Sequence, residues 1–140
     1  MNRRAVLEGA LGAALLAALR PARAKTAPIT NELALLTGFG GNVVALTTGD
    51  GLVLVDSGAP SARKDSPLPL LAELPGGSRV HTLFNTHWHL DQVGGNESIG
   101  VAGANIVAHE KTRLHLATPC YVPEDDAYRP ALPVKAQPTE

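Results

Sequence analysis

Residues 85–96 read NTHWHLDQVGGN, and this stretch carries three side chains of the kinds that bind metals in proteins. His87, His89 and Asp91 are spaced two residues apart, directly after an apolar segment that predicts a strand over residues 80–86. In extended backbone, side chains two positions apart share a face, so the two imidazoles can converge on one ion. Imidazole nitrogen together with carboxylate oxygen suits Zn²⁺, and iron or manganese can use the same ligands.

A second segment, upstream of this stretch, ends in a carboxylate. The apolar run NVVALTT at 42–48 and the run LVLV at 52–55 are joined by Gly-Asp-Gly, which predicts a β-hairpin. Because LVLV is apolar at every position, we expect this strand to be covered on both faces. Asp56 follows it directly, at the C-terminal end of the predicted strand.

Two interpretations of the histidine pair follow from the residues alone. His87 and His89 could be surface histidines on a loop, since a bare His-X-His pattern is weak evidence. The preceding strand, the Gly94-Gly95 pair that lets the backbone turn tightly, and the strand-ending Asp56 all favour a metal site instead.

The rest of the chain predicts short elements of both kinds. Leucines between residues 68 and 74 predict a short helix that Pro75 ends. In the strand at 80–86 we expect Val80, Thr82 and Phe84 to lie on the face opposite His81 and Leu83. Further elements are predicted as a helical turn at 96–99, a strand at 105–108, a helix at 110–117 and an irregular segment from 118 onward.

The first 24 residues have the pattern of an export signal. Arg3 and Arg4 precede an uncharged Ala-, Leu- and Gly-rich run at 9–19, and Ala22-Arg23-Ala24 resembles a cleavage site. This order predicts a signal peptide of the twin-arginine type and a periplasmic or secreted protein beginning at Lys25. An amphipathic N-terminal helix of the mature protein is the alternative.

Composition excludes several classes of protein. The chain has 140 residues and a formal net charge of −1, so nothing favours nucleic-acid binding. Cys120 is the single cysteine, which excludes an intrachain disulfide and a cysteine-based zinc cluster. No apolar run reaches about 18 residues, so we expect no membrane span once the signal is removed. The length allows one domain.

The two motifs together resemble those of the metallo-β-lactamase-fold hydrolases. LVLVDSG at 52–58 and FNTHWHLDQVGGNE at 84–97 carry the resemblance, and IVAHEKTR at 106–113 is also similar. The resemblance implies an α/β (α+β) fold, the first half of an αββα sandwich with a mixed β-sheet and flanking helices. It places a partial domain at 25–117 and leaves 118–140 as a proline-rich irregular tail or linker. Such a half-sandwich is expected to expose apolar sheet surface, through which it could self-associate.

The resemblance also implies roles for individual residues. His87 and His89 match the histidines of the first zinc site, and Asp91 matches the catalytic aspartate that binds the second metal and assists the attacking water. Asp56 matches the aspartate that orients the metal loop through hydrogen bonds. Gln92 stands where the family pattern has histidine, which implies one Zn²⁺ rather than two, since an amide oxygen is a poor zinc ligand.

Other candidate residues match no ligand position of that family. We expect His109 at a strand end, His115 on a helix face and an unligated thiol at Cys120. Trp88 has two interpretations, a wall of the metal cleft or simple packing of the loop.

Two functions therefore remain open. The first is a zinc-dependent hydrolase in which a metal-bound hydroxide attacks an ester-, thioester- or lactam-like bond of a small-molecule substrate. The second is a non-catalytic truncated fragment that binds metal weakly, or only together with a partner chain.

Overall fold

The computed structural model describes residues 24–60, 67–77, 79–123 and 126–139. The predicted signal peptide lies outside the described residues except for its last position. Within the described ranges, no helix is long and apolar enough to cross a bilayer.

A six-stranded mixed sheet forms the centre of the described chain, with its strands side by side in chain order. The first four strands pair antiparallel, and the last two pairings are parallel. The predicted hairpin is confirmed, whereas the first two strands had no predicted counterpart. The strands are β1 Lys25–Pro28, β2 Leu33–Thr37, β3 Val43–Thr48, β4 Gly51–Val55, β5 Val80–Asn85 and β6 Asn105–Ala108.

The described residues form four α-helices, which lie between and after the parallel strands: α1 Leu68–Leu71, α2 Leu90–Val93, α3 Asn96–Val101 and α4 Glu110–Ala117. The bounds of β6 and α4 agree with the prediction. Helix α1 is a single turn that ends at Leu71. Prolines occupy its start, where a missing N–H does no harm. Helix α2 was not predicted.

The segment after α4 is more regular than expected. Strands β7 Cys120–Val122 and β8 Ala127–Arg129 form an antiparallel hairpin, and a 3₁₀ turn follows at Val134–Ala136. The prediction of an irregular tail over 118–140 is therefore wrong for these residues. Three-residue strands are too short to show alternation in a sequence, and a cross-strand contact of Tyr121 with Tyr128, at 5.4 Å between ring centroids, helps to hold the pair together.

One face of the main sheet is the core. A single register row crosses five strands through residues that are all buried: Ala34, Ala45, Leu54, Leu83 and Ile106. Helix residues Leu71 and Ile99 pack on the same cluster and are fully buried. Burial of these aliphatic side chains is the main favourable contribution to the fold.

The opposite face, called the open face below, has a parallel row that crosses the same strands: Leu35, Val44, Val55, Phe84 and Val107. None of these five side chains is buried, and Phe84 is 44% exposed. The expectation that β4 is covered on both faces is therefore wrong, because Val55 is exposed on this face, whereas the helix residues Leu71 and Ile99 pack on the other. The expectation of exposed apolar sheet surface agrees with this face.

The predicted alternation in β5 is also wrong. The register shifts between Leu52 and Val53, where β4 pairs with β5, so one residue of β5 is left over. As a result Val80 and Leu83 are both buried, whereas His81 and Phe84 are exposed. A β-bulge of this kind moves every later side chain to the other face of the strand.

Candidate metal centre

The candidate site lies where two parallel strands end side by side. Asp56 follows β4, and its N–H donates to the carbonyl of Phe84 in β5 at 2.8 Å. Its side chain is buried at 6% exposure, and its φ of 61° is a left-handed conformation that Asp tolerates. Because the two strands are parallel, this carboxylate faces the loop that leaves β5.

The Asp56 carboxylate holds that loop through Thr86. The Thr86 N–H donates to Oδ1 at 2.8 Å, and the Thr86 hydroxyl donates to Oδ2 at 2.7 Å. The same hydroxyl oxygen lies 2.9 Å from Nδ1 of His87. Because its one proton is directed to Asp56, the hydroxyl accepts from His87, which therefore carries its proton on Nδ1. Nε2 of His87 is left as a lone-pair donor suited to a metal.

The structure brings the three predicted ligands together. One candidate ligand atom each of His87, His89 and Asp91 lies within 4.8 Å of the others. The two imidazoles meet edge to face, with 4.8 Å between ring centroids. His89 is extended, as the spacing argument requires, but Asp91 reaches the cluster from the first turn of α2. Two nitrogens and a carboxylate oxygen at this spacing fit the donor set of a zinc ion.

The side chain of Gln92 forms a hydrogen bond with its neighbour Asp91. Its Nε2 donates to Oδ2 of Asp91 at 2.7 Å, a hydrogen bond strengthened by the charge of the carboxylate. Its backbone carbonyl accepts from the N–H of Ser57 at 2.7 Å. The amide side chain thus orients Asp91, and the backbone ties α2 to the residues that follow β4.

A buried polar cluster supports the loop that carries His87 and His89, and it was not predicted from the sequence. Asn96 is fully buried, and its Oδ1 accepts from Ser57 Oγ at 2.8 Å and Asn85 Nδ2 at 3.1 Å. Its Nδ2 donates to Asn85 Oδ1 at 2.8 Å and to the carbonyl of Ala136 at 3.0 Å. All four hydrogen-bonding positions of the amide are used. Asn85, a polar residue at the end of a buried strand, was the available signal.

The Gly94-Gly95 pair allows a close approach of two backbone segments, whereas the sequence predicted that it allows a tight turn. Neither residue has a left-handed backbone, with φ of −64° and −87°. A Cβ at Gly94 would instead meet the backbone of Ala59 and Pro60, and one at Gly95 would meet the carbonyl oxygen of Ser57. The glycines are needed because the chain after β4 lies directly against α2 and α3.

The other singled-out residues lie outside the three-ligand cluster. His109 precedes α4, and its Nδ1 accepts from the Lys111 N–H at 3.2 Å. His115, on the surface of α4, stacks on Trp88 with ring centroids 4.8 Å apart and planes 13° from parallel. Trp88 also meets His89 edge-on at 4.7 Å, so it packs the loop against α4 while touching a candidate ligand. Cys120 is half-buried in β7.

A mixed sheet with a His-X-His-X-Asp loop at the carboxyl ends of its parallel strands defines a class of metal-dependent hydrolases. The model of the metallo-beta-lactamase superfamily matches residues 36–139, well over half of the chain. The chain belongs to the metallo-beta-lactamase superfamily. No curated protein matches the sequence.

Solved structures of B3 metallo-beta-lactamases share the fold. One, described as the first B3 enzyme with an active-site glutamic acid, is 23% identical with a TM-score of 0.67, over 86% of this chain and 48% of its own. The subclass B3 enzyme BJP-1 of Bradyrhizobium japonicum is 27% identical with a TM-score of 0.59, over 81% and 43%. A Cronobacter sakazakii enzyme described by its HARLDQ motif is 21% identical with a TM-score of 0.60, over 79% and 46%. The chain spans somewhat less than half the length of these proteins.

Proposed function

We propose that this chain is part of a zinc-dependent hydrolase that cleaves an ester-, thioester- or lactam-like bond of a small molecule. His87 and His89 would hold the ion, with Asp91 beside them. The observation that carries the proposal is the convergence of these three side chains, within 4.8 Å of one another, on a loop held by the buried Asp56.

The residues of the chain supply orientation and proton acceptance. A zinc ion held by His87 and His89 would lower the pKa of a coordinated water towards about 7 and would polarise the bond to be cleaved. Asp56 and Thr86 set the tautomer of His87, so that Nε2 is ready to bind without rearrangement. Asp91 is the catalytic residue of the proposal, because a carboxylate oxygen in this position can accept a proton from the attacking water.

Gln92 supports a single zinc ion. Its Nε2 donates to Asp91, which leaves only an amide oxygen for a second metal, and an amide oxygen is a poor zinc ligand. The Cronobacter enzyme's motif HARLDQ ends in the same three residues as HWHLDQ at 87–92. The same three-residue ending therefore occurs in the named motif of another protein with this fold.

A zinc titration of the full chain tests the proposal. We expect one equivalent to bind with an affinity of about micromolar, weaker than a closed structural site. His87→Ala and His89→Ala should abolish binding, and His109→Ala should not, because His109 lies outside the cluster. Gln92→His should change the stoichiometry little. Tight binding that survives both histidine variants would contradict the proposed site.

Hydrolysis is tested separately, with para-nitrophenyl acetate, an acetyl thioester and a chromogenic cephalosporin as probes. Zinc-dependent turnover that Asp91→Asn removes, while zinc still binds, would support the catalytic assignment. Turnover that is unchanged in Asp91→Asn would contradict it.

The second candidate function is a fragment that binds metal without catalysis, or only together with a partner chain. The exposed apolar row on the open face favours it, since a sheet of this fold with one uncovered face resembles an incomplete layer structure. Zinc binding without turnover of any probe would support this candidate over the enzyme.

We also propose export to the periplasm or the exterior. The paired arginines and the sequence Ala22-Arg23-Ala24 support it. Intact-mass analysis of the exported protein should then give Lys25 as the first residue. A mature species that keeps Met1 in the cytoplasm would contradict export.

A further inference from the structure

A pocket of about 350 Å³ lies beside the metal loop, between Trp88, helix α4 and the residues that follow β8. Trp88 and His115, stacked on each other, line one part of it. Leu116, Leu132 and Pro133 contribute aliphatic surface. Pockets of a few hundred Å³ with mostly apolar walls are typical of small-molecule sites.

Hydrogen bonds hold the wall formed by the residues after β8. The Leu132 N–H donates to the carbonyl of Leu116 in α4 at 2.9 Å, and Nε2 of Gln137 donates to the carbonyl of Leu132 at 2.7 Å. The preceding hairpin is fastened by the Tyr121 hydroxyl, which donates to Asp126 Oδ1 at 2.6 Å. That bond favours the neutral phenol and, with a smaller contribution from desolvation, raises the pKa of Tyr121. The pocket is therefore formed before any ligand arrives.

The pocket shares two lining residues with a groove at the candidate metal ligands. This groove, of about 320 Å³, is lined by His89 and Asp91 and by the hairpin residue Val122. Leu90 and Arg129 line both the groove and the apolar pocket. A molecule whose polar end lies at His89 and Asp91 can thus extend an apolar end past Leu90 towards Trp88.

We propose that the pocket binds an apolar, ring-sized group of the substrate, while the bond to be cleaved lies in the groove at His89 and Asp91. A cavity of about 150 Å³ accepts benzene in a protein interior, so this pocket has room for a substituted ring or a branched aliphatic group. The flat surface of the Trp88–His115 pair favours an aromatic ring. This inference rests on the proposed function, since it names the kind of ester, thioester or lactam that the site would take.

The chain carries its own reporters for this pocket, because Trp88 and Cys120 are its single tryptophan and single cysteine and both line it. The probe is para-nitrobenzyl alcohol, a neutral ring that does not depend on zinc, added to the metal-free full chain. We expect saturable quenching of Trp88 fluorescence and slower alkylation of Cys120 by iodoacetamide, with one half-saturation concentration for both. Ethanol should produce neither effect.

Two variants locate the bound probe. Ala131→Phe adds a ring to a residue that lines the pocket and should raise the half-saturation concentration about tenfold or more. Phe84→Ala, on the open face, should leave both signals unchanged. Quenching without protection of Cys120, equal binding by Ala131→Phe, or loss of binding in Phe84→Ala would overturn the pocket assignment.

Circular dichroism and the zinc titration of the same variants separate this inference from the proposed function. A folded Ala131→Phe protein that binds zinc normally but not the probe supports both. Normal zinc binding with no probe binding in the unaltered chain overturns the pocket alone, whereas probe binding with no zinc binding overturns the metal site.

Discussion

The two faces of the central sheet use the same strands in different environments. Leu83 and Phe84 are consecutive in β5, yet Leu83 has no exposed surface and Phe84 is 44% exposed. Leu54 and Val55 in β4 differ in the same way. The helix residues Leu71 and Ile99 pack on the first face, whereas the apolar row on the second face is not buried. The difference shows that one layer of helices is enough to bury a core, while the apolar pattern of the strands would suit a second layer as well.

The largest expected effect distinguishes the two faces directly. Leu83→Ala should lower the free energy of unfolding by about 2–5 kcal/mol, because it leaves a cavity in the core. Phe84→Ala removes more atoms but should lower it by less than about 1 kcal/mol, since much of that ring already contacts water. Urea unfolding followed by circular dichroism measures both. Equal losses would mean that the open face is covered in solution.

A second comparison concerns two asparagines, one buried in α3 and one exposed in β6. Asn96→Ala should lower the free energy of unfolding by about 2–3 kcal/mol, because it removes the hydrogen bonds that the buried Asn85 and Ser57 make with its side chain. Asn105→Ala is the control, an exposed asparagine of β6, and should change it by less than about 0.5 kcal/mol. A loss in Asn96→Ala no larger than that of the control would contradict a supporting role for the cluster.

The metal loop depends on the polar end of the sheet through Asp56. Asp56→Asn keeps the size of the side chain and its tolerance of positive φ, but it removes the charge that accepts from Thr86. We expect zinc affinity to fall about 10- to 100-fold, as for other residues that orient a metal ligand. Competition with a chromophoric chelator measures this change. Asp50→Asn, in the exposed hairpin turn, is the matched control, and an equal fall there would contradict the orienting role.

The smallest effect on stability is expected on the open face. Leu46→Lys, at a side chain that is 40% exposed, should change the free energy of unfolding by no more than about 0.5 kcal/mol. It should nevertheless weaken self-association, which we expect through this face, as measured by sedimentation velocity. Ala72→Lys adds the same charge at an exposed position after α1. If Ala72→Lys weakens association equally, the net charge and not the face controls it.

Part of the fold could be predicted from the sequence because local patterns are strong there. The hairpin of β3 and β4, strand β6 and helix α4 are marked by apolar runs, a glycine turn and good helix formers. Strand β1 was missed because Lys25–Pro28 is exposed throughout and carries no apolar pattern. Strand β2 was also missed, although the apolar run of Leu33–Thr37 was an available signal. The bulge in β5 was missed because it arises from pairing with β4, which no single strand reveals.

The sequence by itself determined which side chains could hold a metal ion, because two histidines and an aspartate at alternate positions after a strand already specify a donor set. It also determined that Gln92 differs from the family pattern. Only the structure shows that Gln92 donates a hydrogen bond to Asp91 and that Thr86 contacts both Asp56 and His87. It also shows that Trp88 stacks on His115 of α4. The contact of Thr86 with Asp56 and that of Trp88 with His115 join separate elements, and their geometry follows from how the elements pack. The tertiary structure also decided which apolar face is buried. The strands of the sheet are apolar on both sides, and the placement of the helices selects one of them.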